Sequence, residues 1–531
     1  MSATAAPAQT KRLTRFASNP VAALGQGFDT FMGNAKDIAV TVTEPVPESS
    51  SSTVEYSMCS GVDELTAFLG IDLAAAGVYE GASSSAKVQM AANLRFTEYS
   101  VAVAIHATQA RGTTLALGYN LNVPQPTPET MNTFVQRYGD SFVTSITKGG
   151  YYAAVFMFYA ESEDEQLQVT TALNGEGIVA GGTVSGSFSS NLQIAQTKSK
   201  VRQSSHQAMG GTSGVALPGT VSDMIAFALN FSALPLSVSA LAIIGFRTQG
   251  YEGLIAQFDK VANNRKLFLG TEIPRGSPRI PGLSDRIAAL SILEDTIQDV
   301  QETYAVYRYN TDGSADPDLA TNLKTIQQDL DTAVNLLNRI DADPTQTYQM
   351  PATFPGLAVG VANLNFNLVT SDQYGGTGQY GTGEYKGNAF NDVDASSVPN
   401  RQRINSIGIK GDTWVNLLTV GYTDSSGVSV QSHGTDSGTD RGKVSLQADE
   451  VITSIGVRWG WLVNQITINT SRQQSFTAPP NPEKTGLSAT YTPPSGSVMM
   501  GFNGLQGDHL AQVQFVSVQF RPATWTKLSK I

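Results

Sequence analysis

Two stretches of the sequence, 82–97 and 178–194, alternate apolar and polar side chains with a period of two. A β-strand points successive side chains to opposite faces, so each stretch would present one apolar face and one wet face. The polar positions are mostly Ser, Thr, Asn and Gln, with few charges. The apolar positions are Val88, Met90, Leu94 and Phe96 in the first stretch and Ile178, Val184, Phe188, Leu192 and Ile194 in the second. This pattern fits an interface with lipid or protein on one side and water on the other.

A further alternating run precedes the first stretch, and its apolar positions include Leu69, Ile71 and Leu73. Residues 77–81 (GVYEG) lie between the two runs and suit the turn of a hairpin. A strand that crosses a membrane needs about 9–11 residues with apolar groups outward, and both stretches are longer than that. A strand of a soluble sheet with one wet face shows the same alternation. The alternation alone therefore leaves both interpretations open.

Residue types that carry enzymatic chemistry are present but are not grouped. His106, His206, His433 and His509 are scattered, with no metal-ligand spacing among them. Cys59 is the single cysteine and has no neighbouring base in sequence, so we expect a buried structural thiol. We find no nucleophile elbow, phosphate-binding loop or dinucleotide motif between a strand and a helix. We therefore expect no enzyme, no metal site and no cofactor.

Composition narrows the class of protein further. The chain has 531 residues and a formal net charge of −11, so we expect no broad basic surface for nucleic acid. No stretch reaches the ~18 uninterrupted apolar residues of a membrane helix, and the basic N-terminus lacks the apolar run of a secretory signal. We expect a soluble monomer, secreted or released without a Sec signal peptide. It would enter a membrane only as a closed β-barrel.

Periodicity indicates the elements that position these stretches. From about 36 to 260 the chain is typical of long strands with Gly-rich interruptions. Within it, 101–105 and 151–160 are apolar on both faces, which is typical of a buried sheet. Apolar residues then recur at helical spacing over 287–307 and 319–340. Each helix has one apolar stripe, so we expect both to pack on the sheet, the second beginning with a capped turn at Asp316-Pro317.

The last third of the chain contains an internal repeat. Ile404–Lys410 (INSIGIK) matches Ile452–Arg458 (ITSIGVR) at an offset of 48 residues (452 − 404), and a weaker third copy runs over 498–518. Such related β-units suggest pseudo-threefold packing about a shared core. The turn-rich segment 346–355 separates this region from the helices.

A short motif lies between the two alternating stretches. It consists of Tyr138-Gly139, two polar residues, Phe142, six further residues and Gly149-Gly150. This motif resembles the signature of the membrane attack complex/perforin (MACPF) and cholesterol-dependent cytolysin superfamily, with Asp140-Ser141 in place of the more usual Thr-His.

The MACPF resemblance implies a bent antiparallel sheet flanked by two helical clusters, each of which unfurls into a membrane-crossing hairpin on assembly. The clusters would be 62–98 and 172–216. Gly149-Gly150 would lie at the bend, where the missing Cβ allows unusual dihedrals; a plain turn is the alternative.

The C-terminal region resembles jacalin-type β-prism lectins through Gly375-Gly376, 387–392 (GNAFND), 432–434 (SHG) and 501–504 (GFNG). The resemblance implies a sugar site between the first Gly-rich loop and a late Gly-x-x-x-Asp loop, so its candidate residues are Gly375, Gly376, Gly504 and Asp508. The position of the sugar-binding Asp is occupied by Ala511, and Asp508 is out of register. Trp414, Trp459, Trp461 and Tyr422 are candidates for sugar stacking or an interfacial belt, or they fill the prism core.

These observations predict an α+β chain. It comprises an arm (1–29), a MACPF-type domain (30–345), a linker (346–355) and an all-β, jacalin-like prism (356–531). The two resemblances together imply a pore-forming toxin, similar to bacterial insecticidal members. It would bind a target-cell membrane, with a cell-surface glycan or glycoprotein as the candidate receptor, and associate with itself into a ring that inserts β-hairpins. The alternative is a non-lytic glycan-binding or adhesion protein that keeps the fold.

Overall fold

The structure is a computed structural model. It describes residues 23–48, 50–59, 99–160, 162–173, 206–210, 221–236, 241–271, 280–376, 387–425, 427–482 and 486–527, together with positions 65, 68, 78–79, 97, 182–183, 191, 194–195, 216 and 218–219.

Helices and strands alternate in the N-terminal part of the chain, and the C-terminal part is nearly all strand. The α-helices whose full length the structure describes are α1 (Met131–Tyr138), α2 (Glu163–Leu173), α3 (Val221–Asn230), α4 (Asp259–Leu269), α5 (Leu283–Val306) and α6 (Pro317–Ala342). The N-terminal strands are β1 (Gln26–Asp29), β2 (Asn34–Ile38), β3 (Val40–Glu48), β4 (Ser51–Cys59), β5 (Val78–Tyr79), β6 (Ser100–Leu121), β7 (Ser141–Tyr159), β8 (Gly182–Thr183), β9 (His206–Gly210), β10 (Ala242–Gly250), β11 (Gly270–Thr271) and β12 (Ile280–Pro281). The C-terminal strands are β13 (Val361–Thr370), β14 (Tyr374–Gly375), β15 (Asn388–Asn391), β16 (Arg403–Gly411), β17 (Val415–Asp424), β18 (Gly427–Gly434), β19 (Asp440–Ser445), β20 (Ile452–Trp459), β21 (Val463–Thr470), β22 (Ser475–Ala478), β23 (Leu487–Tyr491), β24 (Ser497–Gln506) and β25 (Leu510–Thr526).

Two long strands form the centre of the N-terminal sheet. β6 and β7 pair antiparallel from Ser100–Tyr159 to Leu115–Ser145. β3 and β4 follow one another along the free side of β6, while β10 and β9 follow one another along the free side of β7. The resulting long sheet is four strands wide, with antiparallel neighbours throughout.

The upper half of the long sheet, where β4, β6, β7 and β9 pair, is buried on both faces. All residues of 101–105 and 151–160 are buried, as predicted from their apolar character on both faces. Alternate residues of β6 belong to two separate apolar clusters: Val101, Val103 and Ile105 to one, and Ala102 and Ala104 to the other. Each face of the sheet therefore needs its own covering layer.

The two long helices form as predicted, but they pack elsewhere than expected. Their apolar stripes share one core with strands β13, β24 and β25 of the C-terminal region. The expectation that both pack on the long sheet is therefore wrong for α6 and for the main stripe of α5, although Ile292 of α5 packs against the cluster that contains Ala102 and Ala104. The sequence pattern shows that a helix has an apolar stripe but not which apolar surface the stripe covers.

Asp316 precedes α6 as predicted, but its side chain does not cap the helix. Its carboxylate accepts the N–H of Ala523 on β25 at 2.7 Å instead.

The C-terminal strands form three antiparallel sheets about a common core. The central hairpins of the three sheets are β16–β17, β20–β21 and β24–β25, and residues of all three build one apolar cluster. The predicted repeat is confirmed in detail: a register irregularity recurs at Ile404/Ser406, Ile452/Ser454 and Met499/Gly501. We refer to residues 356–527 as the prism.

The helix pair and the prism meet through a polar and aromatic contact surface. The hydroxyl of Tyr304 donates to Arg521 O at 2.8 Å, and that of Tyr307 donates to Gln402 O at 2.7 Å. Arg401 forms ion pairs with Asp299 and Glu302, each at 2.8 Å. Residues 346–354 contain neither helix nor strand, and a short 3-10 helix begins at Pro355 (Pro355–Ala358), yet the core is continuous across this segment.

Phe520 lies at the centre of this contact, with its ring 5.2–5.5 Å from the rings of Tyr304, Tyr307 and Tyr309. We expect Phe520→Ala to lower the free energy of unfolding by about 3–5 kcal/mol, because it removes a buried ring and leaves a cavity. Urea denaturation followed by tryptophan fluorescence measures this change. Val428→Ala is the control, since Val428 is 73% exposed and its truncation should cost less than about 0.5 kcal/mol. Equal losses for the two variants would contradict the proposed packing.

Candidate functional site

Most of the predicted membrane-inserting residues lie outside the described part of the chain. They are Leu69, Ile71, Leu73, Val88, Met90, Leu94, Phe96, Ile178, Val184, Phe188 and Leu192. Ile194 is described: it is helical and 48% exposed, while its neighbour Ala195 is fully buried.

Several other positions of the two predicted segments are described, and they lie on opposite faces of the long sheet. Leu65 and Phe68, of segment 62–98, are helical and pack in the cluster that contains Ala102 and Ala104. Leu173 and Ala195, of segment 172–216, pack in the cluster that contains Val101 and Val103. Because successive residues of β6 point to opposite faces, the first segment contributes to the cover of one face and the second to the cover of the other.

Both segments also leave the sheet at the same end. β4 ends at Cys59, which pairs with Ala102 near the start of β6. β7 ends at Tyr159, which pairs with Ser100, the first residue of β6. The connections 60–99 and 160–205 therefore both begin at the upper end of the long sheet.

The signature residues join helix α1 to strand β7. Tyr138 ends α1, and Gly139 follows with a φ of +78° and donates its N–H to Val135 O. A Cβ at Gly139 would lie 2.2 Å from Phe28 O, so both the dihedral and the space require glycine. Phe142 is buried in β7, with its ring 5.0 Å from that of Tyr119 and 5.2 Å from that of Tyr251.

Asp140, within the signature, is fully buried and binds groups from distant parts of the chain. Its Oδ1 accepts the N–H of Thr30 at 2.6 Å, and its Oδ2 lies 3.2 Å from Arg265 Nε. Ser141 donates its hydroxyl to Phe28 O. Arg265 also donates to Thr248 on β10. The two residues that replace Thr-His therefore connect strand β7 with the β1 region, helix α4 and strand β10.

Burial raises the pKa of Asp140 to about 6, although the nearby Arg265 guanidinium acts in the opposite direction; the carboxylate of Asp29 raises it further. Sequence reasoning missed Arg265 and Thr30 as partners of this carboxyl. Both are more than a hundred residues away along the chain, and no local pattern marks them.

Gly149 and Gly150 lie inside β7, where the neighbours of the central strands change. β10 pairs with β7 up to Gly149, and β9 pairs from Tyr151 onward. On β6, the register with β7 shifts between Ala110 and Gly112. The expectation of unusual dihedrals at this pair is wrong, since neither glycine has a positive φ. Gly149 is required by space instead, because a Cβ there would lie 2.0 Å from Gln109 O.

In the prism, Gly375 and Gly504 of the predicted sugar site pair with neighbouring residues of strand β25. Gly375 pairs with Gln512 on one side of this strand, and Gly504 pairs with Val513 on the other. The N–H of Gly376 donates to the carbonyls of Ala511 and Trp461. Ala511 is itself buried. The two loops thus meet as the lectin resemblance implies, but the carboxylate that would bind sugar is missing at Ala511.

Asp508 is exposed in the β24–β25 turn, between Gly507 and His509. The corresponding turns of the other two central hairpins carry Trp414 and Trp461. We call these three turns, residues 412–414, 460–462 and 507–509, the prism tip.

The four candidate aromatic residues divide into two groups. Tyr422 and Trp459 pack in the prism core, and the Tyr422 hydroxyl donates to the buried carboxylate of Asp392. Trp414 and Trp461 are 37% and 68% exposed at the prism tip. The ring of Trp414 lies 5.6 Å from that of His509. Burial disfavours the charged imidazolium of His509 and so lowers its pKa.

The prism tip points away from the helix pair. Gln402, Asp449 and Arg521 contact α5 or the residues just after it, and they lie at the starts of β16 and β20 and near the end of β25. Trp414 and Trp461 follow the other ends of β16 and β20. The exposed tryptophans therefore lie at the end of the prism opposite the helix pair.

Residues 377–516 match the family model of the jacalin-like lectin domain. This is the family assignment of the C-terminal region.

Similar solved structures include wild-type Malaysian banana lectin, with 17% identity and a TM-score of 0.23 over 29% of this chain and 99% of that chain. AcmJRL, a mannose-binding jacalin-related lectin from Ananas comosus, has 16% identity and a TM-score of 0.23 over 29% of this chain and 98% of that chain. Lamprey immune protein has 19% identity and a TM-score of 0.24 over 29% of this chain and 44% of that chain. No curated protein matches the chain.

Among the described residues, no helix has both the length and the apolar character needed to span a membrane. The same residues contain no group of three or more His, Cys, Asp or Glu arranged to hold a metal ion.

The raised pKa of Asp140 predicts a pH dependence of stability. Between its ordinary pKa of 3.8 and about 6, the folded chain binds this proton more tightly than the unfolded chain. The stabilisation from this group is therefore fully present below pH 4 and is lost as the pH rises through 6, by on the order of 3 kcal/mol. The side chain of Asp140→Asn cannot titrate, so this variant does not lose that stabilisation. Its free energy of unfolding should therefore rise relative to that of the wild type by this amount between pH 4 and 7.

Denaturant unfolding at several pH values measures the effect of Asp140→Asn. Asp508→Asn is the control, because Asp508 is exposed and its replacement should leave the wild-type pH dependence in place. A constant difference between Asp140→Asn and the wild type across this pH range would contradict the assignment.

Proposed function

We propose that this protein is a pore-forming protein of the MACPF type, in which segments 62–98 and 172–216 insert into a target membrane as β-hairpins. One observation carries the proposal. Both segments leave the upper end of one four-strand antiparallel sheet, and their described residues cover its two opposite faces. Residues 206–210 of the second segment already form strand β9 of the sheet, so its extending part would end before His206. Release of both segments would extend β4, β6, β7 and β9 from the same end, as the MACPF resemblance implies.

The alternating sequences supply the second requirement, since an inserted hairpin needs one face for lipid and one for water. A single hairpin cannot satisfy its outer backbone groups in lipid, whereas a closed ring of hairpins can. Insertion therefore requires assembly of several copies, and the target-cell membrane and other copies of this chain are the proposed partners. The soluble form would be the monomer with both segments folded on the sheet.

The jacalin-like domain would dock the protein on the cell surface. Its proposed contact surface is the prism tip, because Trp414 and Trp461 are exposed there and face away from the helix pair. A glycan is the proposed ligand class, since the family match supports carbohydrate binding. The usual carboxylate is replaced by Ala511, so binding would depend on aromatic stacking.

A non-lytic glycan-binding protein is the second candidate, and the same family match favours it. It would bind target cells through the prism tip without releasing their contents. Dye release from vesicles prepared from target-cell membranes separates the two candidates: binding without release would support the lectin alone.

The apolar faces of the inserting segments provide a sharper test. Val184→Lys places a charge on the proposed lipid face and should cost about 2–4 kcal/mol per subunit near the bilayer midplane. Ser185→Lys places the same charge on the water face and should leave dye release close to that of the wild type. Binding to the vesicles, measured by co-sedimentation, should be unchanged in both variants. Equal release by the two variants would refute the barrel arrangement.

Receptor binding should depend on the prism tip. Trp461→Ala removes an exposed stacking face worth about 1 kcal/mol or more, so affinity for target cells should fall roughly fivefold to tenfold. Val428→Ala is a matched control: Val428 is similarly exposed but lies next to the β17–β18 turn, at the other end of the prism. Flow cytometry with labelled protein measures both. An unchanged affinity for Trp461→Ala would exclude Trp461 from the contact.

A further inference from the structure

The two apolar clusters of the upper long sheet differ in which parts of the chain build them. We refer to them by one residue of β6 each, as the Val101 cluster and the Ala102 cluster. The described members of the Val101 cluster all lie between residues 54 and 234. The Ala102 cluster also contains Ala395 of the prism and Ile292 of α5. Among the described residues, the C-terminal region therefore contributes to the cover of only one face of the sheet.

Segment 62–98 packs on that same face. Leu65 is fully buried in the Ala102 cluster, and Phe68 is a partly buried member of it. Ile292 belongs to the helix whose main stripe packs on the prism, and Ala395 belongs to the prism itself. The first segment therefore shares its apolar surroundings with the prism as well as with the sheet.

The end of segment 62–98 is also attached to the prism through the backbone. Thr97 forms an isolated parallel β-bridge with Leu364 of β13. Both residues are buried, and Leu364 belongs to the core shared by the helix pair and the prism. The carbonyl of Thr97 accepts the N–H and the hydroxyl of Ser100 at 3.2 and 3.0 Å. The point where the segment enters β6 is therefore joined to the first strand of the prism.

The turn that carries Ala395 is fixed within the prism. The carboxylate of Asp394 accepts the N–H of Ser396 at 2.9 Å, and the N–H of Asp394 donates to the hydroxyl of Ser397 at 3.1 Å. The hydroxyl of Tyr307 on α5 lies 3.4 Å from the carbonyl oxygen of Ser397. Ala395 is thus fixed to the prism and to α5, so it would not follow a segment that leaves the sheet.

Segment 172–216 packs on the other face, in a layer made without the prism. Its described members in the Val101 cluster are Leu173 and Ala195, and the helices α2 and α3 complete this cluster. Both helices also have an exposed side, which includes Leu167 of α2 and Asn230 of α3. This segment therefore belongs to an outer layer that can leave the sheet without displacement of the prism.

We propose that the prism restrains segment 62–98 and not segment 172–216, so that the second segment leaves the sheet first and the first segment follows only when the prism moves relative to the sheet. The order of release rests on the proposed function, whereas the unequal restraint is a property of the soluble monomer. Docking through the prism tip and release of segment 62–98 are thereby linked, because the same domain makes both contacts.

Hydrogen exchange followed by mass spectrometry tests the restraint in the absence of a membrane. Ala395→Asp places a charge in the Ala102 cluster, and Ala228→Asp of α3 places one in the Val101 cluster; the two alanines are 2% and 1% exposed. Ala395→Asp should speed the exchange of peptides from 62–98 at least tenfold and leave those from 172–216 within twofold. Ala228→Asp should have the reverse effect.

Faster exchange of both segments in Ala395→Asp, or of neither, would overturn the restraint. All four tryptophans lie in the prism, so their fluorescence during urea denaturation shows whether this variant leaves the prism folded. If it does not, Ala395→Ser is the smaller change at the same site, and the same selectivity between the two segments is expected of it.

A disulfide between the bridge partners tests the order of release. In a Cys59→Ser background, Thr97→Cys/Leu364→Cys joins residues of neighbouring strands, whose spacing of about 4.8 Å is one that a disulfide spans. On vesicles prepared from target-cell membranes, the oxidised protein should change its exchange in 172–216 as the wild type does and keep its solution exchange in 62–98. Dye release should fall at least tenfold and return on reduction.

The control for this disulfide is Thr423→Cys/Val428→Cys, an opposed pair within the prism, which should release dye when oxidised. Wild-type dye release by the oxidised Thr97→Cys/Leu364→Cys protein would overturn the proposed order. A wild type that never releases dye would remove the pore instead, and the two aspartate variants would still decide whether the prism restrains segment 62–98.

Discussion

The need to cover a wide sheet on all sides governs the N-terminal half of this protein. A sheet whose residues 101–105 and 151–160 are buried on both faces must have apolar cover above and below, and its edges must be paired or shielded. The chain meets these requirements with the connections that leave the upper end of the sheet. These connections have the small, alternating side chains that also suit a two-faced strand. The described residues of these connections, Leu65 and Phe68 on one face and Leu173 and Ala195 on the other, pack their apolar side chains against the sheet.

The lower half of the sheet, where β3, β6, β7 and β10 pair, is stabilised by a buried polar network. Asp140 lies between the N–H of Thr30 and the guanidinium of Arg265, so strand β7, the β1 region and helix α4 are joined through one carboxyl. Burying a charge costs free energy unless it is paired, and the raised pKa of Asp140 shows that the pairing does not fully compensate. The carboxyl therefore joins these elements at a cost in stability that grows as the pH rises through its raised pKa.

Sequence reasoning predicted the parts of the fold that local periodicity controls. The two long helices, the buried strands and the threefold repeat of the prism follow from spacing alone, and the repeat extends even to the irregularities near Ile404, Ile452 and Met499. Sequence reasoning failed where contacts between residues far apart in the chain determine the packing. The stripes of α5 and α6 cover the prism rather than the long sheet. Gly149 is needed because Gln109 O lies close, not because of its dihedral. The opposite faces covered by the two segments are likewise invisible in sequence, because alternation gives the period of a strand but not its neighbours.

The prism keeps the close backbone approaches of its Gly-rich turns, whereas the side chain at position 511 is free of that constraint. Gly375 and Gly504 still flank β25 at one level, because these glycines are required by the close approach of the backbones: a Cβ at either would lie within about 2 Å of a carbonyl oxygen of residue 511 or 512. The side chain at 511 is not under that constraint, and here it is a buried alanine. What remains exposed at the same end is a pair of tryptophans on two of three related turns, directed away from the helix pair that fixes the other end. The tyrosine hydroxyls of Tyr304 and Tyr307 fix one end of the prism to the helix pair, so the exposed tryptophans are held at the opposite end by the length of the strands between them.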